Sequence, residues 1–170
     1  LQGNKIDSQK ALNGEITAIA VHPNGSYIVT GHFNGKLRIW NKSGDSYVET
    51  GKPLERHTAR VTDLVFSQNH KYLGSTSTDG HVRVWNTKTI ASTNPLPLVI
   101  SDDRGWATSV AFANNDKTLV IGYNYGDIQF IPLSPEAMAN EICKKLNVRD
   151  FTPEEWKLFF DGQEQKVTCD

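Results

Sequence analysis

The chain has 170 residues, and its 18 basic and 19 acidic residues give a formal net charge of −1. This balance lacks the concentrated positive field with which proteins bind nucleic acid or anionic membranes. The longest apolar run, residues 128–133, falls far short of the ~20 residues that span a bilayer. Because no signal peptide is visible either, we expect a cytoplasmic protein with no nucleic-acid or membrane partner.

Three segments of the chain align with one another without gaps: residues 16–41, 61–86 and 107–132. The second begins 45 residues after the first (16 to 61), and the third begins 46 residues after the second (61 to 107). Self-similarity at such a period indicates a repeat architecture in which each copy is one supersecondary unit. Residues 1–13 precede the first copy and are predicted to be a linker or the outer strand of a preceding unit.

Each copy predicts three short strands joined by tight turns. The apolar pattern of the first strand, as in residues 16–21, has the period of two that is typical of a strand. The second and third strands are separated by Asn34-Gly35, Asp79-Gly80 or Tyr125-Gly126. Asn-Gly and Asp-Gly are the strongest short hairpin signals, because both positions accept positive φ.

The segments between the copies, residues 46–56 and 90–101, can each supply a fourth, outer strand. A four-stranded antiparallel unit that repeats every ~40–45 residues is typical of a β-propeller blade. We therefore predict an all-β domain over residues 14–133 that consists of three four-stranded blades in an incomplete ring. The predicted blades are residues 14–58, 59–104 and 105–133.

The copies resemble WD repeats, most closely in blade two. There His57 precedes the first strand, Asp79 lies in the hairpin and Trp85 ends the third strand. In that family these residue types and a Ser or Thr form a buried hydrogen-bonded chain within one blade. The resemblance implies this structural role for His57, Asp79 and Trp85, with either Ser75 or Ser77 as the hydroxyl.

Blades one and three depart from the WD pattern. Blade one retains Trp40 but lacks the His and the Asp, and blade three lacks all of these residues. Because each buried polar group needs a partner, we expect the complete network in blade two only.

Residues 134–170 are predicted to form an α-helical cap of two helices. One would begin at Ser134, which is followed by Pro and Glu, and the other at Thr152, which opens a capping box. A polar cover of this kind suits the open end of a repeat array. The tail also resembles those of bacterial WD-repeat proteins attached to STAND-type NTPase or kinase modules, which implies a prokaryotic sensor or scaffold. Cys143 and Cys169 are either two reduced thiols or one disulfide bridge.

The sequence contains no metal-ligand spacing, phosphate loop or nucleophile elbow. We therefore predict no metal, no cofactor and no enzymatic activity. His22 and His70 lie in predicted turns and are expected to be solvated. Candidate residues for binding a partner are the aromatic, His and Arg side chains on loops at the narrow face of the ring. They are His32, Phe33, Arg104, Trp106, Tyr123 and Tyr125.

Three blades are too few to close a ring, since known propellers have about four to eight. Either the chain is the C-terminal part of a larger propeller of about seven blades, or copies of it associate to complete a ring. We expect a non-catalytic module of a bacterial signalling protein that binds a protein or peptide as a scaffold or sensor. Two alternatives stay open: a ligand-binding or enzymatic propeller that uses central-channel residues, and a self-associating structural module.

Overall fold

The computed structural model describes residues 15–101 and 104–134, and within these ranges it contains eleven β-strands and no helix. The strands are β1 (Ile16–Val21), β2 (Tyr27–His32), β3 (Leu37–Ser43), β4 (Ser46–Leu54), β5 (Val61–Phe66), β6 (Tyr72–Ser77), β7 (His81–Asn86), β8 (Leu98–Ser101), β9 (Ala107–Ala113), β10 (Thr118–Tyr123) and β11 (Ile128–Pro132). The chain divides into two compact units, Leu1–Phe130 and Ile131–Asp170. Only residues 131–134 of the second unit are described.

The strands form three antiparallel sheets in the orders β1-β2-β3-β4, β5-β6-β7-β8 and β11-β10-β9. Each sheet is one blade, and equivalent residues of the three copies are paired in the same register. The matched pairs are Ile19 with Thr30, Leu64 with Ser75, and Val110 with Ile121. A bulge also interrupts the first strand pair at the same place in each blade. The prediction of an all-β protein built from repeated antiparallel units is therefore confirmed.

The hairpin between the second and third strands of each blade depends on a glycine. Gly35, Gly80 and Gly126 have φ values of +81°, +81° and +93°, a region that residues with a Cβ rarely adopt. In all three hairpins the glycine N–H donates to the carbonyl of the residue three positions earlier. These turns bring the first residue of each hairpin back beside the start of its blade's first strand.

Successive blades pack face to face, and β2 of blade one approaches β5 of blade two closely. A Cβ placed on Gly31 would lie only 2.5 Å from Cγ1 of Val61, so only glycine lets the two sheets come this close. Around this contact lies a hydrophobic core to which both blades contribute, including Val29, Leu37 and Leu64. Apolar burial between blades therefore holds the repeats together.

The described part of blade three contains three strands, so the fourth strand predicted for this blade stays a prediction. Its last strand, β11, is followed by only two described residues. The predicted helical cap, the pair Cys143 and Cys169, and residues 1–13 lie outside the described ranges, so those expectations stay predictions. In the described part of the chain, no helix is long and apolar enough to cross a membrane.

Candidate functional site

Blade two contains a buried chain of polar side chains that connects β6 and β7 with the loop before β5 and the hairpin after β6. Trp85 Nε1 donates to Ser75 Oγ over 2.9 Å, and Ser75 Oγ lies 2.9 Å from His57 Nε2. His57 Nδ1 lies 3.0 Å from Asp79 Oδ2. Since a carboxylate only accepts, Nδ1 carries the imidazole proton and Nε2 accepts from the Ser75 hydroxyl. The hydrogen bonds therefore run in one direction from the indole to the carboxylate.

Of the two serines that were candidates for the hydroxyl of this chain, Ser75 and Ser77, the hydrogen bonds identify Ser75. Ser75 lies between Trp85 and His57, whereas the Ser77 hydroxyl donates to the Ala59 carbonyl and accepts from the Asp79 N–H. Ser75 is thus a member of the chain, and Ser77 fixes the backbone that carries Asp79.

Asp79 is the charged end of this chain. Burial by itself would raise the pKa of its carboxyl, but hydrogen bonds from His57 and from the backbone N–H groups of His81 and Thr58 outweigh burial and lower that pKa below its usual range. Burial lowers the pKa of His57, and the nearby positive Arg83 adds to this effect against the hydrogen bond with Asp79. The pair therefore consists of a neutral imidazole and an ionised carboxylate near neutral pH.

Arg83 completes the network and was not among the predicted residues. Its Nη1 lies 2.6 Å from His57 Nδ1 and 3.2 Å from Asp79 Oδ2. The Asp79 carboxylate accepts from Arg83 Nη1, and the guanidinium compensates its buried charge. A sequence signal was present: Arg83 and Trp85 are two residues apart on β7, so their side chains share one face of the sheet.

Ser75, His57 and Asp79 have the donor order of a hydrolase triad, but their surroundings leave no place for a substrate. Ser75 is fully buried, and its oxygen already accepts a hydrogen bond from Trp85. The side chain of His57 is also fully buried. A nucleophile must reach the atom that it attacks, so this arrangement stabilises the blade and has no geometry for catalysis.

Blade one contains a shorter version of the chain, and it includes a residue that was predicted to bind a partner. Trp40 Nε1 donates to Thr30 Oγ1 over 2.8 Å, and Thr30 Oγ1 lies 3.0 Å from His32 Nε2. His32 is completely buried, so the prediction that it is an exposed anchor is wrong. Thr30 and His32 share one face of β2 because they are two residues apart, and this places the imidazole beside the hydroxyl.

Tyr123 is the second predicted anchor that the fold buries. Its position in blade three matches that of His32 in blade one, and its side chain is only 5% exposed. The phenol O–H donates to Gln129 Oε1 over 2.7 Å. Tyr123 thus ties β10 to β11 inside the sheet, and its predicted role at the surface is wrong.

His22 was expected to be solvated but lies in an aromatic cluster between blades one and two. Its ring stacks on Tyr27 at 4.6 Å and meets the edges of Phe66 at 5.1 Å and His70 at 5.3 Å. Burial raises the pKa of Tyr27 to about 12, so its phenol stays neutral. His70 is exposed, as expected, whereas the interface between the blades buries His22.

The remaining predicted anchors are exposed, and two large aromatic side chains lie on neighbouring loops. Trp106 is 57% exposed and Tyr125 is 80% exposed. Asn124 connects these loops, because its side-chain oxygen accepts from the Trp106 N–H over 2.7 Å and its own N–H donates to the Trp106 carbonyl over 3.0 Å. A Cβ on Gly105 would lie 2.8 Å from the Tyr125 ring, so the ring lies directly against the Gly105 backbone. Both backbone segments are therefore fixed in place.

Basic residues lie on the same side of the blades as these aromatics. Thr62 Oγ1 of blade two donates to the carbonyl of Ala107 over 2.7 Å, which holds the starts of β5 and β9 together. Arg60 and Trp106 are the residues just before those strands, and both are exposed. Arg104, also exposed, precedes Trp106 by two residues. We call Arg60, Arg104, Trp106 and Tyr125 the loop cluster.

Phe33 belongs to the equivalent hairpin of blade one and is also exposed. Its N–H donates to the carbonyl of Glu15 over 3.0 Å, which corresponds to the bond between Asn124 and Trp106 in blade three. Glu15 and Phe33 thus continue the same surface at blade one, at the position where blade three presents Trp106 and Asn124.

Chemistry that requires a metal has no support in the described ranges. Among residues 15–101 and 104–134, no group of three or more His, Cys, Asp or Glu side chains is arranged to hold an ion. A cleft of about 770 Å³ lies elsewhere, between β4 of blade one and residues 90–95 of blade two. Its walls include Lys52, Arg56 and Ile90, and the cleft shares no residue with the loop cluster.

Comparison with known proteins adds evidence from outside the chain. Residues 6–41 and 49–86 match the family model described as "WD domain, G-beta repeat". The chain is 33% identical to "Protein HIR1" of Eremothecium gossypii over 141 residues, 74% of this chain and 16% of that protein. It is 31% identical to human "Striatin" over 123 residues, 66% of this chain and 15% of that protein.

A third relative is "Telomerase protein component 1" of Rattus norvegicus, which is 27% identical over 154 residues, 85% of this chain and 6% of that protein. The chain thus spans only a small part of the length of each of these proteins. All three come from eukaryotes, so they lend no support to the predicted bacterial context. The chain is thus similar to WD-repeat proteins over the two matched segments, and its repeated antiparallel sheets agree with that similarity.

Proposed function

We propose that this chain is a non-catalytic protein-interaction module and that it binds a protein or peptide partner through the loop cluster. The observation that carries the proposal is the pair of exposed aromatic side chains, Trp106 and Tyr125, on adjacent loops. Trp, Tyr and Arg are the residue types that most often supply the binding energy of an interface. Single exposed apolar residues are common on protein surfaces, but here two large aromatics adjoin two arginines.

The contacts that hold the backbone of these loops in place support the proposal. The two hydrogen bonds of Asn124 hold the Trp106 backbone, and Gly105 lies beneath the Tyr125 ring. Side chains on a fixed backbone lose less conformational freedom when a partner binds, and this favours affinity. A flexible loop with the same residues would bind more weakly.

The charge of the loop cluster indicates which partners it suits. Arg60 and Arg104 are exposed basic residues that precede β5 and β9, and guanidinium groups bind carboxylates in a forked geometry. A partner segment that combines an acidic side chain with an aromatic or aliphatic one fits this surface. Such a segment would place its carboxylate on an arginine and its apolar side chain against Trp106 or Tyr125.

A wider role follows if this module is one part of a longer scaffold or sensor protein in the cytoplasm. The small share of each relative's length that the chain spans supports a place within a longer protein. The resemblance to bacterial signalling proteins rests on the tail, which lies outside the described residues. That context stays a prediction.

The test is to select peptides from a random display library against the full chain and to measure their affinities for variants. Trp106→Ala and Tyr125→Ala should each weaken binding by about tenfold or more, with unchanged thermal unfolding. Leu96→Ala is the matched control, because Leu96 is equally exposed on a distant loop. If the selected peptides bind the Trp106 and Tyr125 variants as well as they bind the unmodified chain, the proposed site is wrong.

A further inference from the structure

The first strand of blade one exposes apolar side chains that are buried in the other two blades. Ile19 is 58% exposed, whereas its equivalents Leu64 and Val110 are 5% and 6% exposed. Ile16 and Val21 are exposed as well. Leu64 belongs to the core that blades one and two share, because this side of blade two covers blade one. We call Ile16, Ile19 and Val21 the leading face.

The opposite side of blade three shows the complementary difference. Phe130 is 67% exposed, whereas its equivalents Ile39 and Val84 are both 6% exposed. Ile128 is 62% exposed, although the matching residues of the other blades are buried. In blades one and two this side is covered by the next blade. We call Ile128 and Phe130, together with Thr108 of the same sheet, the trailing face.

A repeated hydrogen bond shows how a trailing face meets the following blade. Thr17 Oγ1 of blade one donates to the carbonyl of Val61 over 2.6 Å, and Thr62 Oγ1 of blade two donates to the carbonyl of Ala107 over 2.7 Å. In each case the acceptor is the first residue of the next blade's first strand. Thr108 is the equivalent of these threonines in blade three, and it is exposed with a bond only to Gly122 of its own sheet.

We propose that the trailing face binds the leading face of a second copy of this chain. Thr108 Oγ1 would then donate to the carbonyl of Ile16 of the partner subunit, as Thr17 and Thr62 donate within one chain. Ile128 and Phe130 would lie against the aliphatic side chains of that leading face. The chain itself displays this mode of packing twice, between blades one and two and between blades two and three.

The three described blades of two copies make six, which lies within the range of about four to eight that closed propellers adopt. A contact between two different faces forms a ring when its rotation closes. Each copy in such a pair uses both faces, so the exposed apolar side chains of both faces are covered. The net charge of −1 opposes such an association only weakly.

Sedimentation velocity of the full chain tests the proposal over a concentration series of about 1–100 μM. The expected result is a species of twice the chain mass that dissociates on dilution. Phe130→Asp and Ile19→Asp should each give a monomer. Val48→Asp is the matched control, because Val48 is a similarly exposed aliphatic residue on the outer strand β4, and it should leave the dimer intact.

Mixing the two monomeric variants distinguishes head-to-tail association from other modes. In a mixture of the Phe130 and Ile19 variants, one contact joins two altered faces and the other joins two unaltered faces. The mixture should therefore form a heterodimer through one contact, although neither variant pairs with itself. Thr108→Val removes one hydrogen bond from each of the two contacts, so it should raise the dissociation constant by about 5- to 150-fold.

Circular dichroism keeps the test independent of misfolding, because Ile19 and Phe130 are exposed in the single chain and their aspartate variants should retain the wild-type spectrum. A chain that is still monomeric at the highest concentration of the series would overturn the proposal. A dimer that both aspartate substitutions leave intact would overturn it as well. These outcomes are separate from peptide binding at the loop cluster, so the two proposals can fail independently.

Discussion

Replacing Ser75 with alanine removes one hydroxyl and leaves two buried groups without partners. The Trp85 N–H loses its acceptor and His57 Nε2 loses its donor, each from a bond of 2.9 Å. An unsatisfied buried polar group costs about 1–3 kcal/mol, so the free energy of unfolding should fall by about 2–6 kcal/mol. Single domains are stable by about 5–15 kcal/mol in all, so this loss is a large one.

A double-mutant cycle assigns this loss to the hydrogen bonds. Trp85→Phe removes the N–H donor and keeps an aromatic ring, so Ser75→Ala in that background leaves one orphaned group fewer. The second substitution should then cost about 1–3 kcal/mol less than it does alone. Urea unfolding of the four chains, followed by circular dichroism, measures each free energy.

A Ser75→Ala variant whose free energy of unfolding falls by less than about 1 kcal/mol would contradict this prediction. Additive losses for Ser75→Ala and Trp85→Phe in the cycle would contradict it as well. Additivity would mean that the indole and the hydroxyl do not interact. Either result would show that apolar packing, with no contribution from the polar chain, stabilises blade two.

Three further predictions follow from other contacts in the structure. Burial lowers the pKa of His57 in the folded state, so the unfolded state binds an extra proton below about pH 6.5. The free energy of unfolding should therefore decrease as the pH is lowered, by up to about 1.4 kcal/mol per pH unit. His57→Gln should flatten this slope in urea titrations between about pH 5 and 7.5, and equal slopes for the two chains would contradict the assignment. Gly31→Ala should destabilise the chain by about 1–3 kcal/mol because the new methyl meets Val61. In thermal unfolding, the double variant with Val61→Ala should lose less stability than the sum of the two single losses. Full additivity would mean that the two sheets do not touch there. Thr62→Val should lower the free energy of unfolding by about 1–2 kcal/mol, because the hydrogen bond to blade three is lost. Thr108→Val in the monomer should change that free energy by no more than about 0.5 kcal/mol. Equal losses for the two variants would contradict the difference between covered and uncovered blades.

The repeats were predictable because their signal is local and occurs three times. Each hairpin has a glycine at the position where φ must be positive, and each first strand alternates with a period of two. Matched residues therefore pair in the same register, such as Ile19 with Thr30 and Leu64 with Ser75. The residues expected for the polar chain of blade two, His57 and Asp79 among them, lie next to one another in the structure.

The errors concern residues whose burial depends on other segments of the chain. His32 ends β2 beside a hairpin, a position that favours exposure, but its ring is buried next to the Thr30 hydroxyl, which also accepts from Trp40. His22 lies in a turn that blade two covers through Phe66. Contacts between blades link residues that are more than 40 positions apart, and a local pattern does not report them.

The ion pair of Arg38 depends on one residue difference between blades one and two. It is the equivalent of Arg83, but blade one has Asn34 where blade two has Asp79. Without that carboxylate, Arg38 Nη1 pairs with Glu49 on the outer strand. Sequence comparison between the copies predicts that the pair of blade two is absent, but the new partner depends on the register of β4.

The central claim is that segments about 45 residues apart form separate sheets that pack face to face. Solution NMR tests it through the nuclear Overhauser effect between a Gly31 Hα and the γ-methyl protons of Val61. We expect a strong cross-peak, because the space that a Cβ on Gly31 would fill lies within 2.5 Å of that methyl carbon. Absence of the cross-peak in the assigned spectrum of the folded chain would contradict the packing of blade two on blade one.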